Sequence, residues 1–232
     1  MKTIGLVGGM SWESSAIYYS CMNKVVRREL GGFHSAKTLM LSVDFAEVEH
    51  LQHKGDWKAL DQMMADAALQ LEKGGADLVL LCTNTMHLCT PAIEASINIP
   101  FYHIAEAAGQ AIAEQGLKKV GLLGTRFTME KDFYKQKLLQ DFGIEVITPD
   151  PEEMDVVHEI IYGELVHGVI EEESREKYKA IIASLEARGA EGVVLGCTEI
   201  PLLISDEDVN IPTFDTTTLH AEGAVTWALQ GV

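Results

Sequence analysis

Thr83 and Cys197 are the residues whose types and positions could do chemistry, because each closes a copy of the same sequence block. The first copy reads Leu71-Glu-Lys-Gly-Gly-Ala-Asp-Leu-Val-Leu-Leu-Cys-Thr83-Asn84-Thr85. The second reads Leu185-Glu-Ala-Arg-Gly-Ala-Glu-Gly-Val-Val-Leu-Gly-Cys197-Thr198-Glu199. Two further blocks repeat in the same order: Lys2-Thr-Ile-Gly-Leu-Val-Gly8 with Lys118-Lys-Val-Gly-Leu-Leu-Gly124, and Asn98-Ile-Pro100 with Asn210-Ile-Pro212. Ordered repeats at nearly constant separation mean two homologous lobes. Such a pair can bring two equivalent groups to opposite faces of one ligand, the arrangement that removes a proton from one face of a carbon and returns it to the other.

A thiol titrates at about 8.5 and is lowered near a helix N-terminus, so Cys197 is expected to reach the thiolate near neutral pH and act as acid or base. Thr83 carries a hydroxyl, which donates a proton more readily than it takes one. His87 could polarise that hydroxyl or be purely structural. Cys82 is expected to point away from Thr83, since neighbouring side chains on a strand face opposite sides. Asn84-Thr85 and Thr198-Glu199 follow the two key positions. Each pair could offer N–H groups and side-chain donors at a helix start, a cradle for a carboxylate. Plain N-capping would use the same residues. The Gly8-Gly9-Met10 turn does not match G-x-G-x-x-G, which argues against a dinucleotide. It reads as a tight strand-to-helix turn whose Met10 and Ser11 could touch a ligand.

The elements that must position these groups alternate. Apolar strands are expected at Thr3–Val7, Thr38–Val43, Leu78–Leu81, Phe101–His103, Val120–Leu123, Glu145–Thr148, Gly192–Leu195 and Thr213–Phe214. Helices are expected at Trp12–Leu30, Trp57–Lys73, Ala105–Gln115, Met129–Phe142, Met154–His167 and Arg175–Arg188. This alternation implies an α/β fold of two pseudo-symmetric lobes, each a parallel sheet covered by helices. The repeat puts the first lobe at residues 1–98 plus 211–232, discontinuous, and the second at 99–210. The site is expected in the cleft between them, beyond the carboxyl ends of the strands.

Composition restricts the partners. The chain has 232 residues and a formal charge of −17, against nucleic acid or an anionic membrane as a partner. No apolar run approaches the ~20 residues of a membrane span, and no cleavage site follows the first strand. Four cysteines without CxxC, and histidines without ligand spacing, support neither disulfides nor a metal. A cytoplasmic protein with free thiols is expected.

The blocks Gly8-Gly9-Met10-Ser11-Trp12-Glu13, Gly55-Asp56-Trp57, Thr83-Asn84-Thr85-Met86-His87, Gly124-Thr125-x-x-Thr128 and Gly196-Cys197-Thr198-Glu199 span the chain. Together they resemble the cofactor-independent aspartate/glutamate racemases, and in particular the subgroup specific for L-aspartate and L-glutamate. The resemblance implies two Rossmann-like lobes, no pyridoxal phosphate or metal, and a homodimer. It implies that Cys197 is one catalyst and that Thr83 occupies the position of a second cysteine. Asn84, Thr85, Thr198 and Glu199 would hold the substrate's amino and carboxylate groups, with Thr128 also binding and with Met10 and Gln52 lining the pocket. Thr in place of cysteine implies unequal handling of the two enantiomers. Val166 stands where some members carry a lysine for the side-chain carboxylate, leaving Arg126 and His167 as candidates. The expected activity is racemisation of an acidic amino acid. The alternatives are a one-cysteine decarboxylase or isomerase of small dicarboxylates, and a two-lobed amino-acid sensor.

Overall fold

The computed structural model describes residues 1–230, so the last two residues of the expected C-terminal segment lie outside the described residues. The chain divides into two compact units, Met1–Ile104 with the segment from His220 onward, and Ala105–Leu219.

In the first unit, strand β1 (Ile4–Gly8) lies between β2 (Thr38–Ser42) and β3 (Leu78–Leu81), all parallel. Alternation across β1 and β3 sorts the apolar side chains into two cores. Ile4, Leu6, Leu78, Leu80 and Cys82 pack against helix α1 (Trp12–Leu30) and against Ala221, Ala224 and Val225 near the chain's end. Val7, Val79 and Leu81 pack against α3 (Trp57–Lys73), which follows α2 (Phe45–Lys54), and against α4 (Thr90–Ser96). On α3 the buried Leu60, Met64, Ala67, Ala68 and Leu71 recur at helical spacing. Each larger one contributes about 1.5–3 kcal/mol on burial. Helices α2 and α4 escape the sequence pattern; α2 buries only Val48 and Gln52, and α4 only Ile93.

Gly55-Asp56-Trp57 is explained locally. Gly55 ends α2 in the left-handed conformation at φ 69°, and Asp56 starts α3 by accepting from the Ala59 N–H at 3.1 Å.

In the second unit α5 (Ile104–Glu114) leads into β4 (Lys119–Gly124), followed by α6 (Arg126–Glu130), α7 (Asp132–Phe142), β5 (Glu145–Ile147), α8 (Pro151–Gly163), α9 (Glu172–Ala187), β6 (Val193–Gly196) and β7 (Thr213–Asp215), after which α10 (Thr216–Leu229) enters the first unit at His220. The parallel sheet runs β5-β4-β6-β7. Leu123, Val193 and Leu195 bury against α8 and α9 through Val157, Ile161, Ile182 and Leu185. The expected helix over Met129–Phe142 is two helices, broken at Lys131, whose backbone is extended at ψ 150°. The expected Met154–His167 helix stops at Gly163, and a 3-10 turn follows at Leu165–His167.

The units change later in the chain than the repeat suggested. Phe101 bridges to Val79, and Tyr102 N–H donates to the Val79 carbonyl at 2.9 Å, so the segment after Ile99 stays on the first sheet. Likewise β7 pairs with β6, so the segment after Ile211 stays on the second. The crossing elements are the helices that follow. α5 packs in the second unit, where Gly109 lies against Phe142 of α7, and α10 returns to the first. Strand hydrogen bonding keeps each strand home; the next helix is free to go.

Candidate active site

In the first unit the register places Val7 beside Leu81, so β1 and β3 end together. Met10 and Thr83 therefore leave the same carboxyl edge of the sheet. Gly8 and Gly9 are required there. A Cβ on Gly8 would sit 2.6 Å from Ser15 Oγ, and one on Gly9, at φ 94°, would sit 2.2 Å from the Val43 carbonyl. The Gly9 N–H donates to Ser15 Oγ at 2.8 Å. Met10 is buried behind this turn and belongs to the α3-side core.

Thr83 is half-buried at the strand end, Asn84 is buried and Thr85 half-buried. A 3-10 turn over Thr85–Cys89 follows, and the Asn84 side chain does not cap it. Five residues of 3-10 helix supply individual N–H groups, not the dipole of a full helix. Gln52 is buried at the end of α2 and donates from Nε2 to Met86 Sδ at 3.1 Å, which ties α2 to this turn. Cys82 faces away into the core, where burial pushes its thiol up.

His87 is buried with both ring nitrogens engaged. Its Nε2 accepts from the Ile104 N–H at 3.2 Å, and its Nδ1 lies 3.3 Å from the Asn84 carbonyl. A backbone amide can only donate, so Nε2 is the bare nitrogen and Nδ1 carries the proton. Burial, with His103 and His220 nearby, holds the ring well below its ordinary pKa. The ring is therefore a neutral imidazole whose one lone pair is spent, not a base for the Thr83 hydroxyl.

In the second unit the register places Gly124 beside Gly196, so Thr125 and Cys197 also leave one carboxyl edge. Thr125 caps α6 by accepting from the Thr128 N–H. Thr128 is fully buried, and its methyl would stand 3.1 Å from a Cβ on Gly124 and 3.2 Å from one on Gly196. Its place is beneath the strand ends, supporting them. Thr198 is buried and Glu199 half-buried. Both the Cys197 Sγ–H, at 2.9 Å, and the Thr198 hydroxyl, at 2.6 Å, donate to Glu199 Oε2.

The surroundings of Cys197 oppose the ready thiolate expected from the sequence. Desolvation and the Glu199 carboxylate raise the Cys197 thiol well above its ordinary value. Only a 3-10 turn over Ile200–Leu202 follows, too short to offset them. Cys197 rests as a thiol, poised to give a proton. Arg126 is paired with Glu130 and Asp155, so its charge is already neutralised, while His167 is exposed.

Sequence reasoning missed the polar cluster around His87. Tyr18 OH lies 2.8 Å from His220 Nδ1, and His220 Nε2 lies 2.8 Å from the Tyr102 carbonyl. The His87 ring stands 4.5 Å from that of His103 and 5.7 Å from that of His220. No spacing in the sequence joins positions 18, 87, 103 and 220. Among the described residues no His/Cys/Asp/Glu group could hold a metal ion, and no helix is long and apolar enough to cross a membrane.

Two parallel sheets with flanking helices, each ending in a polar strand-end turn, define a duplicated α/β protein of the kind seen in amino-acid racemases. The chain belongs to the Asp/Glu/Hydantoin racemase family, whose pattern matches residues 7–224. It is similar over 99% of its length to a Yersinia pestis protein provisionally named an Asp/Glu racemase, with all of that chain covered, 50% identity and a TM-score of 0.95. An aspartate racemase homologue from Pyrococcus horikoshii is 34% identical over 98% of this chain and 99% of that one, at a TM-score of 0.86. The broad specificity amino-acid racemase RacX of Bacillus subtilis is 26% identical over 173 residues, 73% of each chain.

Proposed function

We propose that the protein is an amino-acid racemase acting on aspartate, glutamate or a related acidic amino acid, moving the α-proton between its own side chains without a cofactor. The supporting observation is the equivalence of Thr83 and Cys197. Each follows a strand that pairs in parallel with the first strand of its sheet, β3 with β1 and β6 with β4, in a chain of a racemase family. The reading requires both groups to reach one Cα from opposite faces.

Cys197 then gives its proton to the planar carbanion from one face, leaving a thiolate. In the reverse direction that thiolate takes the α-proton. Glu199 Oε2 is placed to receive the thiol proton when the base form is needed. Thr83 serves the opposite face, and the Asn84, Thr85 and Thr198 groups hold the substrate and disperse carboxylate charge as the carbanion forms. With no base from His87, Thr83 donates more readily than it accepts. Exchange of the α-proton is therefore faster from the enantiomer that Cys197 deprotonates. We also propose a cytoplasmic homodimer, a state that sedimentation of the purified protein reads directly.

One observation favours a second reading. A resting thiol beside a carboxylate is a proton donor, which is all that a one-cysteine decarboxylase of small dicarboxylates needs. Incubation of each enantiomer of aspartate and glutamate in D₂O, followed by NMR and chiral chromatography, separates the two. A racemase exchanges the α-proton and forms the other enantiomer. Deuterium found only in a product that has lost carbon dioxide supports the decarboxylase, and binding without turnover supports a sensor.

A further inference from the structure

We infer that His87 is a positioning residue that fastens the turn bearing Thr83 to the point where the chain leaves the first unit. Its Nδ1–H and its main-chain N–H both converge on the Asn84 carbonyl, the latter at 3.1 Å, so the ring closes the turn immediately after Thr83. Its Nε2 receives the N–H of Ile104, the first residue of α5 and the last of the first unit. A helix's first N–H groups have no partner within the helix, and the imidazole supplies one. One buried ring thus spans two backbone segments that share no strand pairing at these residues.

The ring's surroundings hold it in that role. His103 packs against it, and His220 stands behind, fixed by Tyr18 and the Tyr102 carbonyl. His220 is also the first residue of the chain's return to the first unit. The exit, the return and the Thr83 turn therefore meet at one imidazole cluster. The repeat makes the arrangement specific to this half. The position equivalent to His87 in the second unit is Pro201, which has no side-chain donor or acceptor, and there Thr216 Oγ1 ties the chain to the Leu195 carbonyl instead.

The role rests on the racemase reading only for its kinetic readout. In the intact wild-type protein, long-range ¹H–¹⁵N correlation should find the His87 proton on Nδ1 at neutral pH; a proton on Nε2 overturns the inference. Two variants divide the ring. His87→Asn offers an amide N–H near the Nδ1 position and nothing at Nε2, whereas His87→Gln reaches the Nε2 position with its carbonyl and leaves Nδ1 empty. Hydrogen exchange at the Ile104 amide should quicken on the order of tenfold or more in His87→Asn and stay near wild type in His87→Gln. The kcat for racemisation should fall by about tenfold or more in His87→Gln, with KM changed by less than about threefold, and recover in His87→Asn. Equal loss in both variants, or an Ile104 amide indifferent to the substitution, overturns it. Tautomer and amide exchange are read without turnover. A wild type that racemises nothing therefore sinks the racemase reading and leaves those two measurements to judge His87.

Discussion

The Sγ of Cys197 donates to the Oε2 of Glu199 at 2.9 Å, and the same oxygen takes the hydroxyl of the intervening Thr198 at 2.6 Å. One carboxylate oxygen thus accepts from both the thiol and the hydroxyl of this strand-end turn. Desolvation of this half-buried sulfur first, and the carboxylate second, raise the thiol well above its ordinary range.

Replacing Glu199 by Gln removes the negative charge while keeping a hydrogen-bonding side chain. The alkylation rate of Cys197 by iodoacetamide, followed against pH, should then rise to its plateau at lower pH than in wild type. The midpoint should stay above that of a free thiol, because desolvation remains. An unmoved midpoint would mean that Glu199 does not control the thiol.

On the proposed racemisation, Cys197→Ala should lower α-proton exchange from one enantiomer by about 10²–10⁴-fold, the usual worth of a positioned acid–base group. Thr83→Cys should raise exchange from the other enantiomer and narrow the difference between the two. If the ratio of the two exchange rates is the same in Thr83→Cys as in wild type, the hydroxyl is not what sets the bias.

The histidine cluster predicts loss of stability in acid. Burial lowers His220 to about 4, only partly opposed by its bond to the Tyr102 carbonyl, against about 6.5 in the unfolded chain. Between those values the unfolded state binds more protons, so stability is full above about pH 6.5 and is lost as pH falls toward 4. His220 alone contributes a loss on the order of 3 kcal/mol across that window, and His87 adds to it in the same direction. Urea midpoints at pH 7.5 and 5 should differ clearly in wild type and by roughly half as much in His220→Gln, where His87 still contributes.

Two glycine substitutions separate space from conformation. Gly9→Ala forces a Cβ to within 2.2 Å of the Val43 carbonyl at φ 94°, so it should cost several kcal/mol or prevent folding. Gly55→Ala, in the left-handed conformation at φ 69° with nothing within 4 Å, should cost only about 1–2 kcal/mol. Thermal melts of the two variants decide this; similar losses would mean that the contact with Val43 is not the constraint.

Arg126 is expected to be dispensable for substrate affinity. Its guanidinium already holds Glu130 and Asp155 in exposed ion pairs worth about 0–1 kcal/mol. Arg126→Ala should change KM for aspartate by less than about threefold, and a larger rise would return it to the substrate's side-chain carboxylate.

The linear chain determined the repeat, and with it the parallel strands, the equivalence of Thr83 and Cys197 and the inward-facing Cys82. A two-residue period on apolar strands and an ungapped duplication are local properties, readable without coordinates. Trp12–Leu30 and Trp57–Lys73 were legible to the residue because each carries a cap signal at its start and a glycine just past its end. Helices α2 and α4 were not, since burying one or two side chains leaves little apolar period to detect. Only the tertiary structure decided that α5 and α10 are the crossing elements. It also decided that Thr128 packs against Gly124 and Gly196, that the Cys197 thiol donates to Glu199, and that His87 meets Ile104. Protonation and hydrogen-bond roles depend on what lies within about 3 Å in space: His87 and Ile104 stand 17 residues apart, and even the near neighbours Cys197 and Glu199 need the folded turn to aim one side chain at the other.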